Sequence, residues 1–215
     1  MTKNYLTIKT NGQHEIDIKK SRFICYVKRI KDEDDAKKFI EKIKTINRKA
    51  THNCFAYMVG RDDHIQRESD NGEPSSTAGI PILRVLQMKH LHDTVAVVTR
   101  YFGGIKLGAG GLIRAYSNAT SKTIDQIGIV KRVLQTQISI NVDYSLGEKL
   151  KYHLEQERVN ILNIKYTSKM TIIVAIDTPQ IKPFQEKIIN LLNDRVEFKI
   201  GQKQYLEVDY HPNQK

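Results

Sequence analysis

Between positions 103 and 111 the chain reads Gly103-Gly104-Ile105-Lys106-Leu107-Gly108-Ala109-Gly110-Gly111, which gathers five of its 12 glycines. Ahead of this segment, Val95 to Phe102 is a near-continuous run of β-branched and aromatic residues that predicts a central strand. Behind it, Leu112, Tyr116, Ala119, Thr123, Ile124 and Ile127 recur at helical spacing and Gly128 closes the run, predicting a long amphipathic helix. A strand must therefore feed a helix through glycines. Glycine admits positive φ and lets a ligand approach backbone N–H groups, while a helix N-terminus favours negative charge. Arg100, Lys106 and Arg114 add formal positive charge. The segment is then either a tight connection that needs small residues for packing or a site for an anion or phosphate backbone. Neither nucleotide fingerprint is met. A Walker A loop needs Lys and then Ser or Thr after its last Gly, and Gly108 is followed by Ala109; the dinucleotide pattern fails because Ile113 stands three residues after Gly110.

A second unusual segment, Ser69-Asp70-Asn71-Gly72-Glu73-Pro74-Ser75-Ser76-Thr77-Ala78-Gly79, places two carboxylates, hydroxyls and glycines ahead of a helical run from Ile80 to Leu91. Pro81 suits the first turn of that helix, where its missing N–H is not needed. The carboxylates can cap the helix, serve as acid or base, or hold a metal. Glu73 is the candidate base, with Asp70 and His52 as further candidates. His52-Asn53 precedes a strand starting at Cys54, and His52 is a base, an RNA contact or a structural histidine. His90-Leu91-His92-Asp93 reads as a surface turn, with no further ligands beside it to make a metal site. No metal and no cofactor are expected.

Elsewhere in the first part, residues 15–30 read as a strand running into a buried region, and Asp34 to Ala50 as a helix with Ala36, Phe39, Ile40, Ile43 and Ile46 inward. Cys54 to Val59 and Asp63 to Arg67 flank Gly60-Arg61-Asp62 as a hairpin. After Gly128 the rhythm changes. Leu134 to Tyr144 alternates as a strand; Leu146, Leu150 and Leu154 mark a helix; Val159 to Tyr166 and Met170 to Ile176 form a strand pair. Ile181, Phe184, Ile188 and Leu191 mark another helix, and Val196 to Val208 returns to strand, interrupted at Gly201. The order is βαββαβ, the ferredoxin-like arrangement. The fold class is α+β in two domains, residues 1–130 and 131–215.

The charge balance narrows the partners. Lys and Arg exceed Asp and Glu by 11, and residues 1–130 carry 22 basic against 14 acidic residues, or +8 of that excess. Polyanions are the natural partners of such a surface. No apolar run approaches the ~20 residues that a membrane-spanning helix needs, and positions 1–20 mix charges without an apolar block, so a cytoplasmic protein with no membrane association is expected. Cys25 and Cys54 stand alone, without a CxxC or a flanking ligand set, and read as buried apolar residues.

The segments Ser21-Arg22-Phe23-Ile24, Ala50-Thr51-His52-Asn53-Cys54, Ser69 to Pro81 and Val97 to Tyr116, in this order, resemble the YigZ/IMPACT family. Bacterial members carry a second domain that matches the βαββαβ order. The first loop of that family typically reads Ser-Asp-Asp-Gly-Glu-Pro-Ser-Gly-Thr-Ala-Gly, so this chain departs from it at Asn71 and Ser76, and the carboxylate missing at 71 weakens a metal site. The resemblance implies an N-terminal domain with the fold of the second domain of a small-subunit ribosomal protein, shared with a class of small-molecule kinases. It implies a C-terminal domain like the last domain of elongation factor G. Both relatives act on RNA or the ribosome. Eukaryotic members regulate translation through a stress-kinase activator with an extra N-terminal domain, which is not expected here.

The expected function is RNA or ribosome binding that regulates translation, with no catalysis required. Arg100, Lys106, Arg114 and the backbone of Gly103, Gly104, Gly108, Gly110 and Gly111 would contact phosphates, while His52, Asn53, Asp70 and Glu73 line the same cleft. One alternative is an enzyme acting on a phosphorylated or acylated small molecule with Glu73 as base. Another is a regulator whose C-terminal domain docks a protein partner.

Overall fold

Alternation of apolar and polar residues builds the strands, and each helix covers one face of them. This computed structural model describes residues 4–60, 62 and 64–210. They divide into two compact units, one of residues 5–132 with 208–210 and one of residues 133–207 with Asn4. Arg61 and Asp63, part of the expected hairpin, lie outside the described residues.

The first unit runs β1 (Tyr5–Ile8), β2 (Gly12–Ile18), β3 (Ser21–Arg29), α1 (Glu33–Ile46), β4 (His52–Val59), β5 (Ile65–Ser69), α2 (Gly79–Met88), β6 (Thr94–Tyr101), α3 (Ala109–Ile127) and the start of β7 (Ile129–Val142). Its main sheet is antiparallel with the order β2-β3-β6-β4-β5. The central strand, β6, is buried along all but its last residue. Successive side chains of a strand point to opposite faces. Phe23, Cys25, Cys54, Ala56, Ala96 and Val98 accordingly pack against α2 and α3, while Tyr57, Val59, Val95 and Val97 pack against Ala36, Ile40 and Ile43 of α1.

Two expectations change here. Residues 15–30 are a hairpin rather than one strand: β2 and β3 pair from Gly12↔Val27 to Ile18↔Ser21 around Lys19-Lys20. Both lysines adopt positive φ, 47° and 66°. That is the backbone of a primed two-residue turn, which Asn-Gly usually announces and Lys-Lys does not. The helix expected over 34–50 stops at Ile46, which is 61% exposed. Asn47 takes the buried position beyond it, donating from N–H and Nδ2 to the Ile43 carbonyl at 3.0 and 3.1 Å.

In the second unit β7 continues to Val142 and is followed by α4 (Tyr144–Gln156), β8 (Asn160–Tyr166), β9 (Met170–Asp177), α5 (Ile181–Leu192) and β10 (Glu197–Asp209). β7 pairs with β9 and with β10, and β8 pairs with β9, so the order is β10-β7-β9-β8. The last strand lies beside the first, as in the ferredoxin-like βαββαβ arrangement. Leu150, Leu154, Ile188 and Leu192 of the helices pack on Ile138, Ile140, Ile172 and Val174. β10 passes Gly201 without a break. Residues 208–210 group with the first unit, where the sequence division put them in the second, because Asp209 pairs with Lys9 at 2.7 Å and Tyr210 N–H donates to Ile129 O at 3.1 Å. Among the described residues no helix is long and apolar enough to cross a membrane.

Candidate functional site

The site forms where β6 runs out. Arg100 near its end is paired in register with Phe23 of β3 on one side and His52 of β4 on the other. Side chains from the flanking segments then hold the chain as it leaves the sheet: Thr51 Oγ1 accepts Phe102 N–H at 3.0 Å and Ser21 Oγ accepts Gly103 N–H at 3.2 Å. Gly103 is required there, since a Cβ would overlap the Lys20 carbonyl. The hairpin tip Lys19-Lys20 is thereby brought beside the start of the glycine segment.

Beneath this exit lies a buried ion pair. Arg100 is 5% exposed and donates from Nη1 to Glu73 Oε1 at 2.7 Å. The same oxygen accepts the Tyr116 hydroxyl at 2.8 Å, and the Glu73 side chain is 3% exposed. The guanidinium carbon lies 5.4 Å from the ring centres of both Phe23 and Phe102, so the cation contacts two aromatic rings. Arg100 Nε is buried and has no acceptor among the described residues. His52 Nδ1 is 3.1 Å from the Asn71 carbonyl, so Nδ1 carries the proton and donates, while Nε2 lies 3.8 Å from Glu73 Oε2. Cys54 Sγ donates to the Asp70 carbonyl at 2.8 Å, and burial pushes its thiol up to about 12. Burial, with Cys54 and Glu73 close by, also drives the Tyr116 hydroxyl far above its ordinary value. Neither group is a nucleophile in this setting.

The acidic loop divides its two carboxylates between different tasks. Ala78, the residue ahead of α2, has no side chain to cap the helix. Asp70 does so from upstream: Oδ1 accepts from Ala78 N–H and Gly79 N–H at 2.8 Å each, and Oδ2 from Ser76 N–H at 2.7 Å. Burial pushes its carboxyl up, but the N–H groups of Gly79, Ser76, Ala78 and Thr77 together hold it below the usual range. Glu73 caps nothing and serves as the counter-ion of Arg100. Asn71 adopts φ 41°, a left-handed backbone that Asn tolerates, and gives the site its carbonyl rather than its side chain. Its departure from the family pattern therefore leaves the buried network intact. Ser76 also lies in the left-handed region, at φ 63°.

Above the ion pair the glycine segment is open. A Cβ at Gly104, Gly108 or Gly110 would meet nothing within 4 Å among the described residues. Gly108 precedes α3 at φ 69° with no side-chain cap, and the first turn of the helix holds no acidic residue. The first intrahelical bond runs from Leu112 N–H to Gly108 O, at 3.0 Å, so the N–H groups of Ala109, Gly110 and Gly111 have no partner within the helix. Lys106 and Arg114 are exposed here, as are Lys19 and Lys20 at the hairpin tip.

Of the expected site residues, the fold brings His52, Asp70, Glu73 and Arg100 together, with Gly103 at the strand exit and the other glycines, Lys106 and Arg114 on the segment that follows. Asn53 is not among them. It faces the α1 side of the sheet, where its Oδ1 accepts the Thr99 hydroxyl at 2.7 Å, because neighbouring strand residues point opposite ways. Arg100, expected on phosphate, is instead buried beneath Phe102 with Nη1 committed to Glu73. Sequence reasoning missed Ser21, Thr51 and Tyr116. Tyr116 was hidden by its helical period, which marks a core position and says nothing of a hydroxyl aimed at a carboxylate. At 90–93, expected as a surface turn, His90 is exposed but Leu91 is 0% exposed and bridges Leu6, while Asp93 accepts Gly60 N–H at 2.9 Å.

Fold and site together define a two-domain α+β protein whose first domain opens a basic glycine segment to solvent. Comparison with known proteins narrows this class. Residues 19–124 match the Impact N-terminal domain and residues 140–195 match a domain of unknown function, DUF1949. The IMPACT family member YvyE of Bacillus subtilis is 44% identical over 207 residues, covering 96% of this chain and 95% of that protein. YigZ of Escherichia coli, another IMPACT family member, is 32% identical over 174 residues, covering 80% and 85%. A crystal structure described as that of a hypothetical protein is similar at 28% identity with a TM-score of 0.60, covering 92% of this chain and 97% of that one. The chain belongs to the IMPACT family.

Proposed function

We propose that this protein binds RNA or the ribosome in the cytoplasm and regulates translation, with the glycine segment of the first unit as its phosphate-binding surface. The observation that carries this reading is the open space over Gly104, Gly108 and Gly110 at an uncapped helix start, flanked by exposed Lys19, Lys20, Lys106 and Arg114. Backbone N–H groups and lysines are what phosphate oxygens need, and the charge excess of residues 1–130 agrees with it. The alternative, an enzyme with Glu73 as base, has less support. Its carboxylate is covered by Arg100 and Tyr116 and reaches little solvent. Docking of a protein partner on the second unit draws on exposed Tyr152, Tyr166 and Ile200.

The test is a salt titration of the full chain with single-stranded RNA. Log affinity is expected to fall linearly with log salt, by roughly 0.7 per contacted phosphate. Lys106→Ala should weaken binding and flatten the slope by about one such increment. Affinity that is absent, or indifferent to salt, overturns the reading.

A further inference from the structure

Phe102 has an exposure that phosphate binding does not explain. Phe102 as a residue is 46% exposed although it directly follows the most buried strand of the sheet, and Ile105 and Ile113 of the following segment are 41% and 40% exposed. A surface made only for phosphates has no need of apolar side chains in water. The ring is also held in place. Its backbone N–H is fixed by Thr51 Oγ1 at 3.0 Å and the next by Ser21 Oγ at 3.2 Å. Beneath it, the Arg100 guanidinium carbon is 5.4 Å from its centre and equally far from that of Phe23, which is 0% exposed. Arg100 thus contacts one ring in the core, Phe23, and one that is partly in solvent, Phe102. Exposed Lys19, Lys20, Lys106 and Arg114 supply charge that complements a polyanion.

We propose that this surface takes a single-stranded stretch of nucleic acid, with one unpaired base stacked on Phe102 and its phosphates along the glycine segment. The proposal rests on the RNA-binding reading and specifies the form of RNA. A rigid aromatic face beside a cationic track is the arrangement that holds single strands, because every base has a π-face that can stack on it. A duplex presents no such face along its length. Its bases are paired and stacked on one another, and the A-form major groove is too narrow to admit side chains. Ordering the ring before binding lowers the entropy lost on association.

Three probes of equal length separate the contributions: a single-stranded oligouridylate, an abasic phosphodiester strand and an RNA duplex, each titrated at fixed salt against the full chain. The oligouridylate should bind most tightly. Phe102→Ala should weaken it by about 5- to 140-fold, equivalent to about 1–3 kcal/mol, towards the level of the abasic strand. The chain contains no Trp and 10 Tyr, so Phe102→Trp provides a unique tryptophan, excited selectively over tyrosine, whose emission a stacked base should quench and an abasic strand should not. Equal binding of oligouridylate and abasic strand, preference for the duplex, or Phe102→Trp emission indifferent to a bound oligouridylate overturns stacking while leaving phosphate binding in place. If none of the three probes binds, the RNA-binding reading falls with it.

Discussion

Glu73 and Arg100 are each the reason the other can be buried. A carboxylate or guanidinium removed from water must meet an opposite charge, and removing one partner of such a pair leaves the other stranded, at about 3–5 kcal/mol. Glu73→Gln keeps the shape and an acceptor for Tyr116 but removes the charge facing Arg100. We expect a loss near the lower end, about 3 kcal/mol, lowering the midpoint of thermal unfolding by roughly 6–12 °C for a chain of this size. Calorimetry or thermal circular dichroism of the two proteins decides it. A loss of only about 1 kcal/mol, the size of a helix cap, would mean that Arg100 finds another counter-charge. Nothing in the residue types announced this pair. Asp70 and Glu73 sit three apart in one polar loop, and only the fold shows that one accepts backbone N–H groups while the other meets a strand end 27 residues away in the chain.

At the scale of elements, the glycines from the end of β6 to the first turn of α3 fall into two kinds. Gly103 answers a steric demand, for its missing Cβ makes room for the Lys20 carbonyl, whereas Gly110 answers none among the described residues. Alanine suits a helix better than glycine by up to about 1 kcal/mol, and the proposed phosphate surface would account for a glycine in the first turn of α3 that has no packing reason among the described residues. Gly110→Ala is therefore expected to raise stability by up to about 1 kcal/mol and to lower RNA affinity, since the new methyl group stands in the approach to the helix start. A variant that is stabilised and binds RNA as before would show that no ligand needs that space. The strand and helix flanking this segment were legible in the sequence because their periods are long and regular. The Lys19-Lys20 turn was not, since its positive φ values lack the residue types that signal them. Asn53 was grouped with His52 by adjacency, although strand alternation sends the two to opposite faces of the sheet.

On the scale of the whole molecule, the βαββαβ order was readable because six successive segments each kept one period, and a ferredoxin-like sheet follows from that order once each helix crosses back over the strands. The second unit has a core of its own. Ile138, Ile140, Leu150, Leu154, Ile172, Val174 and Ile188 are each 0% exposed, and all are contributed by β7, α4, β9 and α5 within residues 133–207. None of the site residues lies there, and residues 131–215 carry 13 basic against 10 acidic residues, a small share of the charge excess. A domain of this size buries enough surface to fold but keeps a narrow margin. Expressed alone, residues 131–215 are expected to unfold in one cooperative step in urea and to show no salt-dependent binding of single-stranded RNA. A fragment that stays disordered would mean that its core depends on the first unit. One that folds and binds RNA as tightly as the full chain would move the phosphate-binding surface out of the glycine segment.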